Sequence, residues 1–389
     1  MLVRQQVVAA PDSFKGSLTA REAAEAMVRG ARCALGPGAS VSAVPMADGG
    51  EGTLDALLAA WDGREHHVEV HDALGRRRTA RYGLSADSRT AVIEAAEANG
   101  LPHVRDVPPR PLHADSAGVG ELARAALDAG AEEVLLCIGG SATTDGGAGV
   151  LRALGARFLD AAGNPVPPGG GGLAAIERIE LDDLHPRARR VRWRIAVDVD
   201  NPLVGRRGAA AVFGPQKGAG PDDVATLDAG LAHLAGRLAR ATGVPERWLR
   251  ETPGTGAAGG LPAALCAVLG AQVLPGSRLV ADAVDLRAAL AGADIVLTGE
   301  GSLDGQSLHG KVVDRVRECA PEGAAVVVLA GRVALTAQEV AAAGLTAAVS
   351  IAPGPATEEE LRADAAPLLA EAAESVCRLL AHRPAESDR

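Results

Sequence analysis

The sequence predicts an α/β protein in which parallel sheets carry helices on both faces. Three observations support this. Short apolar runs closed by Gly, Pro or Asp recur from one end of the chain to the other. Stretches with helical spacing lie between them, the alternation that βαβ units require. The chain has 389 residues, 47% of them hydrophobic and 23% charged, which is the composition of a globular protein with a substantial core and room for two or three domains.

In order, VVAAP (7–11) reads as a first strand and the segment from Thr19 as a helix, with Thr19 and Glu22 spaced as a capping box. Ala23, Ala26, Met27 and Gly30 would form a closely packed helix face. VSAVPM (41–46) reads as a second strand and GTLDALLAAW (52–61) as a second helix. Between about 63 and 115 the runs shorten and alternate, as in a small antiparallel meander. A helix over 118–130, a buried strand in EEVLLCIGG (132–140), a helix near 146–154, a strand in RIAVDVD (194–200) and helix over much of 221–250 follow. The last third repeats the pattern with strands at 293–299, 324–331 and 347–354 and a final helix over 357–381.

Composition excludes several function classes. A formal net charge of −10 and 2% aromatics disfavour a nucleic-acid surface. No run approaches the ~20 apolar residues of a membrane span. MLVRQQVVAAPDS reads as the approach to a strand, not as a signal peptide, and the five cysteines (33, 137, 266, 319 and 377) form no CxxC pair. The expected location is the cytoplasm.

The basic residues are more informative. Of 39 Lys and Arg only three are lysine, Lys15, Lys217 and Lys311, and each adjoins a glycine. A compact ammonium on a flexible stem suits phosphate contact in ways a planar guanidinium does not.

Five glycine-rich polar loops contain these lysines or the carboxylates. APDSFKGSLT (10–19) offers Ser13 and Lys15 before a helix start, where backbone N–H groups favour anions. MADGGEGT (46–53) sets Asp48 and Glu51 around Gly49 and Gly50, placed to hold a metal or accept a substrate proton. IGGSATTDGGAG (138–149) surrounds Gly139, Gly140, Ser141, Thr143, Thr144 and Asp145 with backbone amides, as a phosphate cradle would. AVDVDNPLVGRRGAAAVFGPQKGAG (196–220) places Asp198, Asp200 and Asn201 at a strand end and Lys217 in a second turn. TGEGSLDGQSLHGKV (298–312) holds Glu300, Asp304 and Lys311. Its GxxxxGK is followed by Val312 in place of the hydroxyl that binds Mg²⁺ in a P-loop, and the predicted strand ends well upstream, so an ordinary P-loop is rejected. No GxGxxG opens the first βα unit, which disfavours NAD. Together the loops and lysines point to phosphoryl transfer, where catalysis is mainly positioning and electrostatic stabilisation.

Taken in order, APDSFKGSLTA, PMADGGEGT, GGSATTDGGAGVLRALGA, DVDNPLVG with FGPQKGAG, TGAAGG (255–260) and TGEGSLDGQSLHGK resemble the type I glycerate kinases over nearly the whole chain. The resemblance implies an ATP-dependent kinase acting on D-glycerate, with ADP as co-product and, in bacterial members, usually 2-phosphoglycerate as product. It also implies a flavodoxin-like domain made from both chain ends (1–62 and 280–389) and a second α/β domain inserted between them (63–279). RPLHADSAGVGEL (110–122) departs from the family pattern at Ala114, Asp115, Ala117 and Val119, as do Val312 and Val313 after Lys311.

On this reading Lys15, Lys217 and Lys311 neutralise phosphate or substrate carboxylate, in a cleft between the domains whose closure excludes water. Asp198 or Asp48 orients or deprotonates the attacking hydroxyl. Glu300 and Asp304 are alternative Mg²⁺ or ribose contacts, and Mg²⁺ is held largely through the phosphates. A kinase for another small hydroxy acid or sugar acid, and a non-catalytic binding protein for an organic phosphate or acid, are the competing readings.

Overall fold

The computed structural model describes residues 5–308 and 310–382. The strands are, in chain order, β1 (Gln6–Ala9), β2 (Ser40–Ala43), β3 (Arg64–His71), β4 (Arg77–Leu84), β5 (Thr90–Glu94), β6 (Glu133–Cys137), β7 (Arg157–Leu159), β8 (Arg178–Glu180), β9 (Arg192–Ala196), β10 (Gln272–Leu274), β11 (Ile295–Leu303), β12 (Ala325–Val333) and β13 (Ala347–Ser350). The chain divides into two compact units. The first takes the residues up to Asp48, Asp55–Ala60 and those from Val280 on; the second takes Gly49–Leu54 and Trp61–Leu279.

The first unit carries a five-stranded parallel sheet in the order β13-β12-β11-β1-β2. Counted within the unit this is 2-1-3-4-5, the flavodoxin-like order. Its central strands are continuous apolar runs because parallel strands are covered on both faces: Val7, Val8 and Ala9 in β1, and Ile295, Val296 and Leu297 in β11, are all buried. Helix Ala20–Leu35 starts on the expected capping box, with Thr19 Oγ1 accepting from Glu22 N at 3.2 Å and Glu22 Oε2 accepting from Thr19 N at 2.8 Å. Its small-residue face meets helix Ala365–Ala381 so closely that a Cβ on Gly30 would lie 2.0 Å from Ala370 O. The C-terminal helical stretch is two helices, Glu358–Ala363 and Ala365–Ala381, divided at Asp364.

The second unit carries a six-stranded mixed sheet, β10-β9-β6-β5-β4-β3. Strands β3, β4 and β5 form the antiparallel meander, and β5, β6, β9 and β10 run parallel. Ile93, Val134, Leu136, Trp193 and Ile195 pack with Leu122 and Leu151 in its core. No helix among the described residues is long and apolar enough to cross a membrane.

Two strand ends differ from the sequence reading. β9 stops at Ala196, where its pairing with Cys137 and Leu274 ends, so Asp198 and Asp200 lie beyond the strand. β11 runs four residues past Gly299, because Ser302 and Leu303 still pair with Arg332 and Val333. The 304–311 loop therefore does follow a strand directly; against a P-loop there remains only Val312 in place of the hydroxyl.

Candidate functional site

In the first unit, open-sheet topology directs attention to the carboxyl ends of β1 and β11, where the strand order reverses. The segment after β1 continues the ladder: Ala10 N donates to Leu297 O at 2.7 Å and Asp12 N to Gly299 O at 2.8 Å. Thr298 Oγ1 donates to Ala10 O at 2.8 Å, and Met46 N to Pro11 O at 2.9 Å. These bonds gather Asp12, Glu300 and Asp48 at one sheet end. Burial, then the charges of Asp48 and Glu300, push the Asp12 carboxyl up to about 7, against the N–H of Ser13, which donates to Asp12 Oδ1 at 2.6 Å. Glu300 is also raised, first by burial, with Ser307 and Lys311 opposing and Asp304 and Asp48 adding to the rise. Its Oε1 is buried without a hydrogen-bond partner.

Lys15 is exposed in the turn that leads from Phe14 to Leu18, and Ser13 is half-buried beside it. After β11 come a short 3₁₀ turn, Gly305–Leu308, and helix Val312–Cys319. Ser307 Oγ accepts from Asp304 N at 3.1 Å, Gly310 N donates to Asp314 Oδ2 at 2.9 Å, and exposed Lys311 occupies the N-cap. This arrangement brings the charge of Lys311 to bear on Glu300.

In the second unit, the loop after β6 is tied to the segment that follows β5, the end of the short helix Ala95–Asn99. Ala142 N donates to Asn99 O at 2.8 Å, Leu101 N to Gly140 O at 2.9 Å, and Asn99 Nδ2 to Thr143 Oγ1 at 3.1 Å. Asn99 is wholly buried and its Oδ1 has no partner. Of residues 138–149 only Gly139 and Gly140 are exposed. Thr143, Thr144 and Asp145 are turned inward. Asp145 accepts from Ser116 N (2.9 Å), Ser116 Oγ (2.8 Å), Gly147 N (3.1 Å) and Gly149 N (3.0 Å). Burial and the charge of Asp115 hold its carboxyl above the usual range in spite of these donors. The hydroxyls expected to line a cradle are thus mostly part of its frame: Thr143 and Thr144 are buried, and Asp145 takes the Gly147 and Gly149 amides from within.

Lys217 is buried against the same loop. Its Nζ donates to Thr143 O at 2.5 Å and lies 3.3 Å from Ser141 Oγ. Burial lowers its ammonium to about 8, with the charge of Asp145 opposing. TGAAGG packs on the other side: Gly146 N donates to Gly259 O at 3.0 Å, and Gly259, at φ +74, is so close that a Cβ would lie 2.1 Å from Thr143 O. The divergent segment has a role here too. Asp115 accepts from Arg152 Nη1 at 2.8 Å, Ala117 N at 2.8 Å and Gly169 N at 3.1 Å, while Ser116 anchors Asp145.

At the end of β9, Asp198 is exposed and its Oδ1 accepts from Gly276 N at 2.9 Å. Asp200 is exposed and paired with Arg207 at 2.8 Å. Asn201 serves its own loop: Nδ2 donates to Arg207 O at 2.7 Å, and its carbonyl accepts from Gly254 N and Gly256 N. Gly49 stands at φ +86 where a Cβ would fall 2.7 Å from Ala196 Cβ, Gly50 O accepts from Thr53 Oγ1 at 2.7 Å, and Glu51 is exposed. Among the described residues no three His, Cys, Asp or Glu side chains form a ready-made metal site.

The model of the glycerate kinase family matches residues 7–381. The chain belongs to the glycerate kinase family. A glycerate kinase of Bacillus subtilis (strain 168) is 45% identical over 351 residues, 90% of this chain and 91% of that one. A glycerate 2-kinase of Escherichia coli (strain K12) is 46% identical over 307 residues, 79% of this chain and 80% of that one. The crystal structure of a Salmonella typhimurium LT2 protein described as a candidate glycerate kinase 2 superposes with a TM-score of 0.88 at 45% identity, over 97% of this chain and 98% of that one. The enzyme class is therefore that of the family, a glycerate kinase.

At the candidate site, sequence reasoning passed over Asn99, Ser116 and the electrostatic weight of Asp12. Asp12 carried a signal, its place at the first strand end beside Ser13. Asn99 and Ser116 carried none, since their partners are 44 and 29 residues away.

Proposed function

We propose that this glycerate kinase transfers the γ-phosphoryl group of ATP to D-glycerate, giving 2-phosphoglycerate and ADP, with Mg²⁺ as the accompanying metal. The observation that carries the metal and the triphosphate is the set of Asp12, Asp48 and Glu300: the charge of Asp48 helps to raise both Asp12 and Glu300, while Glu300 Oε1 stays buried and unpartnered. Such a set favours a cation at that sheet end. Mg²⁺ usually keeps several waters and binds through one or two carboxylates plus substrate phosphates, which agrees with the absence of a ready-made cluster among the described residues. The metal would neutralise developing charge on the phosphates.

In the first unit, Lys15 and Lys311 supply compact positive charge to phosphate, and Asp304 holds Ser307 in place. In the second unit, the exposed Gly139 and Gly140 with Ser141 receive an anionic group, and the buried ammonium of Lys217 lends its field from behind Ser141. Asp198, fixed by Gly276 N, orients and deprotonates the attacking hydroxyl. The loose transition state of phosphoryl transfer asks little basicity of that carboxylate. The name of the Escherichia coli relative supports the 2-position. Five free cysteines support a reducing compartment, the cytoplasm.

The test is glycerate-stimulated ADP release by the purified protein with Mg-ATP, followed by phosphorus NMR of the product. A 2-phosphoglycerate resonance is expected. A 3-phosphoglycerate resonance refutes the regiochemistry, and no stimulation by glycerate refutes the reaction.

A further inference from the structure

At the amino ends of the second unit's parallel strands lies a groove of about 790 Å³. Its walls include Thr90, Glu133 and Arg192, the first residues of β5, β6 and β9. The loops of the candidate active site leave the carboxyl ends of these strands, about 16 Å away for a five-residue strand. Within the second unit the groove is therefore separate from those loops.

Its chemistry is unusual for a chain of net charge −10. Five arginines occupy the eight positions 187–194. Arg187, Arg190 and Arg192 line the groove together with Arg89. The carboxylates present are already engaged. Glu132 Oε2 pairs with Arg89 Nη2 at 2.6 Å, and Glu133 Oε1 pairs with Arg194 Nε at 2.7 Å and lies 3.9 Å from Arg192. Asp87 Oδ1 accepts from Ser85 Oγ at 2.7 Å and Arg89 N at 3.1 Å. Arg190 is exposed and enters no ion pair among the described residues.

The segment is also held rigidly. Trp193 is buried and its Nε1 donates to Ala188 O at 2.7 Å, closing the turn from beneath. Arg187 Nη2 donates to Gly130 O and Ala131 O at 2.7 and 2.8 Å. Guanidinium groups on a fixed frame match phosphate oxygens in a bidentate way. The carboxylates and Thr90 in the same walls would repel a long uniform polyanion and accept hydroxyl donors from a compact one.

We propose that this groove is a second ligand site, for a hydroxylated phosphate monoester, distinct from the site of phosphoryl transfer. The probes are glycerol 2-phosphate and glycerol, titrated calorimetrically into the full chain in 0.15 M KCl, where weak long-range attraction is screened. Glycerol 2-phosphate should bind and glycerol should not. The double variant Arg190→Ser/Arg192→Ser should weaken the phosphate ester at least tenfold while leaving turnover without the probe within twofold. Arg190→Ser alone, which breaks no ion pair, should weaken it at least threefold. Equal affinity in wild type and both variants assigns the binding to the catalytic site and overturns the proposal. So does binding of glycerol as tight as that of its phosphate, or loss of wild-type binding in 0.15 M KCl.

Discussion

The ammonium of Lys217, a buried residue, donates to the main-chain carbonyl of Thr143 at 2.5 Å. A lysine in an arginine-rich chain is thus placed where only a slender stem fits. Lys217→Arg adds volume to a close-packed site and should cost about 1–3 kcal/mol of stability along with at least a tenfold loss of kcat/KM. Lys217→Met keeps the shape without the charge and should lose a similar share of kcat/KM with little loss of Tm. Near-normal kinetics in both variants refutes a functional role for this lysine.

The same residue predicts a pH effect. Its folded pKa is about 8 against an ordinary 10.5, so between those values the unfolded chain binds more protons than the folded one. Stability from this group therefore rises as pH climbs from about 8 to 10.5, and its unfavourable contribution is constant below 8. A thermal melt series from pH 7.5 to 10 should show that slope in wild type and a shallower one in Lys217→Met.

For Asp12 the sign is the reverse. A carboxyl raised from 3.8 to about 7 keeps a proton in the folded state that the unfolded chain has lost, so this group's contribution falls as pH rises through that interval. Asp12→Asn should raise Tm at pH 8 while lowering kcat at least 100-fold, the exchange of stability for function seen where like charges are gathered. Protons and Mg²⁺ compete for the wild-type site, so the Mg²⁺ concentration for half-maximal activity should rise at least fivefold from pH 8 to pH 6. A flat Mg²⁺ requirement would argue that Asp12 does not meet the metal.

Asp198 and Asp200 separate a positioned carboxylate from a solvated one. Asp198→Asn should lower kcat roughly 100-fold or more, the scale of a positioned general base, and Asp200→Asn, which breaks only an exposed pair, should stay within twofold. The opposite ranking, with Tm unchanged in both, places the base on the other residue. If both stay active, Asp48 is the next candidate.

Gly259 tests the frame of the cradle. Alanine there brings a Cβ to 2.1 Å from Thr143 O at a positive φ, so Gly259→Ala should lower Tm by several degrees and kcat/KM more than tenfold. Unchanged activity would show that the Thr143 segment does not need its present placement.

The sequence made the fold legible where physics is local. Thr19 with Glu22 announces a helix start, and Val7–Ala9 or Ile295–Leu297 announce strands buried on both faces. Where distant partners decide, the local pattern misleads. GEGSL looks like a turn, yet Ser302 and Leu303 find Arg332 and Val333 on the neighbouring strand. VDVD looks like strand, yet pairing stops at Ala196. The site divides in the same way. Glycines and lysines marked the loops, but whether Thr143, Thr144 and Asp145 face a ligand or the interior depends on Ser116, Asn99 and Lys217, which arrive from elsewhere in the chain.

The pairing of β1 with β11 has a consequence for biosynthesis. Val7 aligns with Ile295, and Thr298 reaches across 288 positions to Ala10. During synthesis the first two strands leave the ribosome long before the strand that completes their sheet exists. The segment between them, with its own sheet and core, can fold while they wait, and once it has folded it shortens the path that the two ends must close. Refolding from denaturant should therefore show two phases, and the slower one should report on the first unit, whose central ladder is the most distant pairing in the sheet.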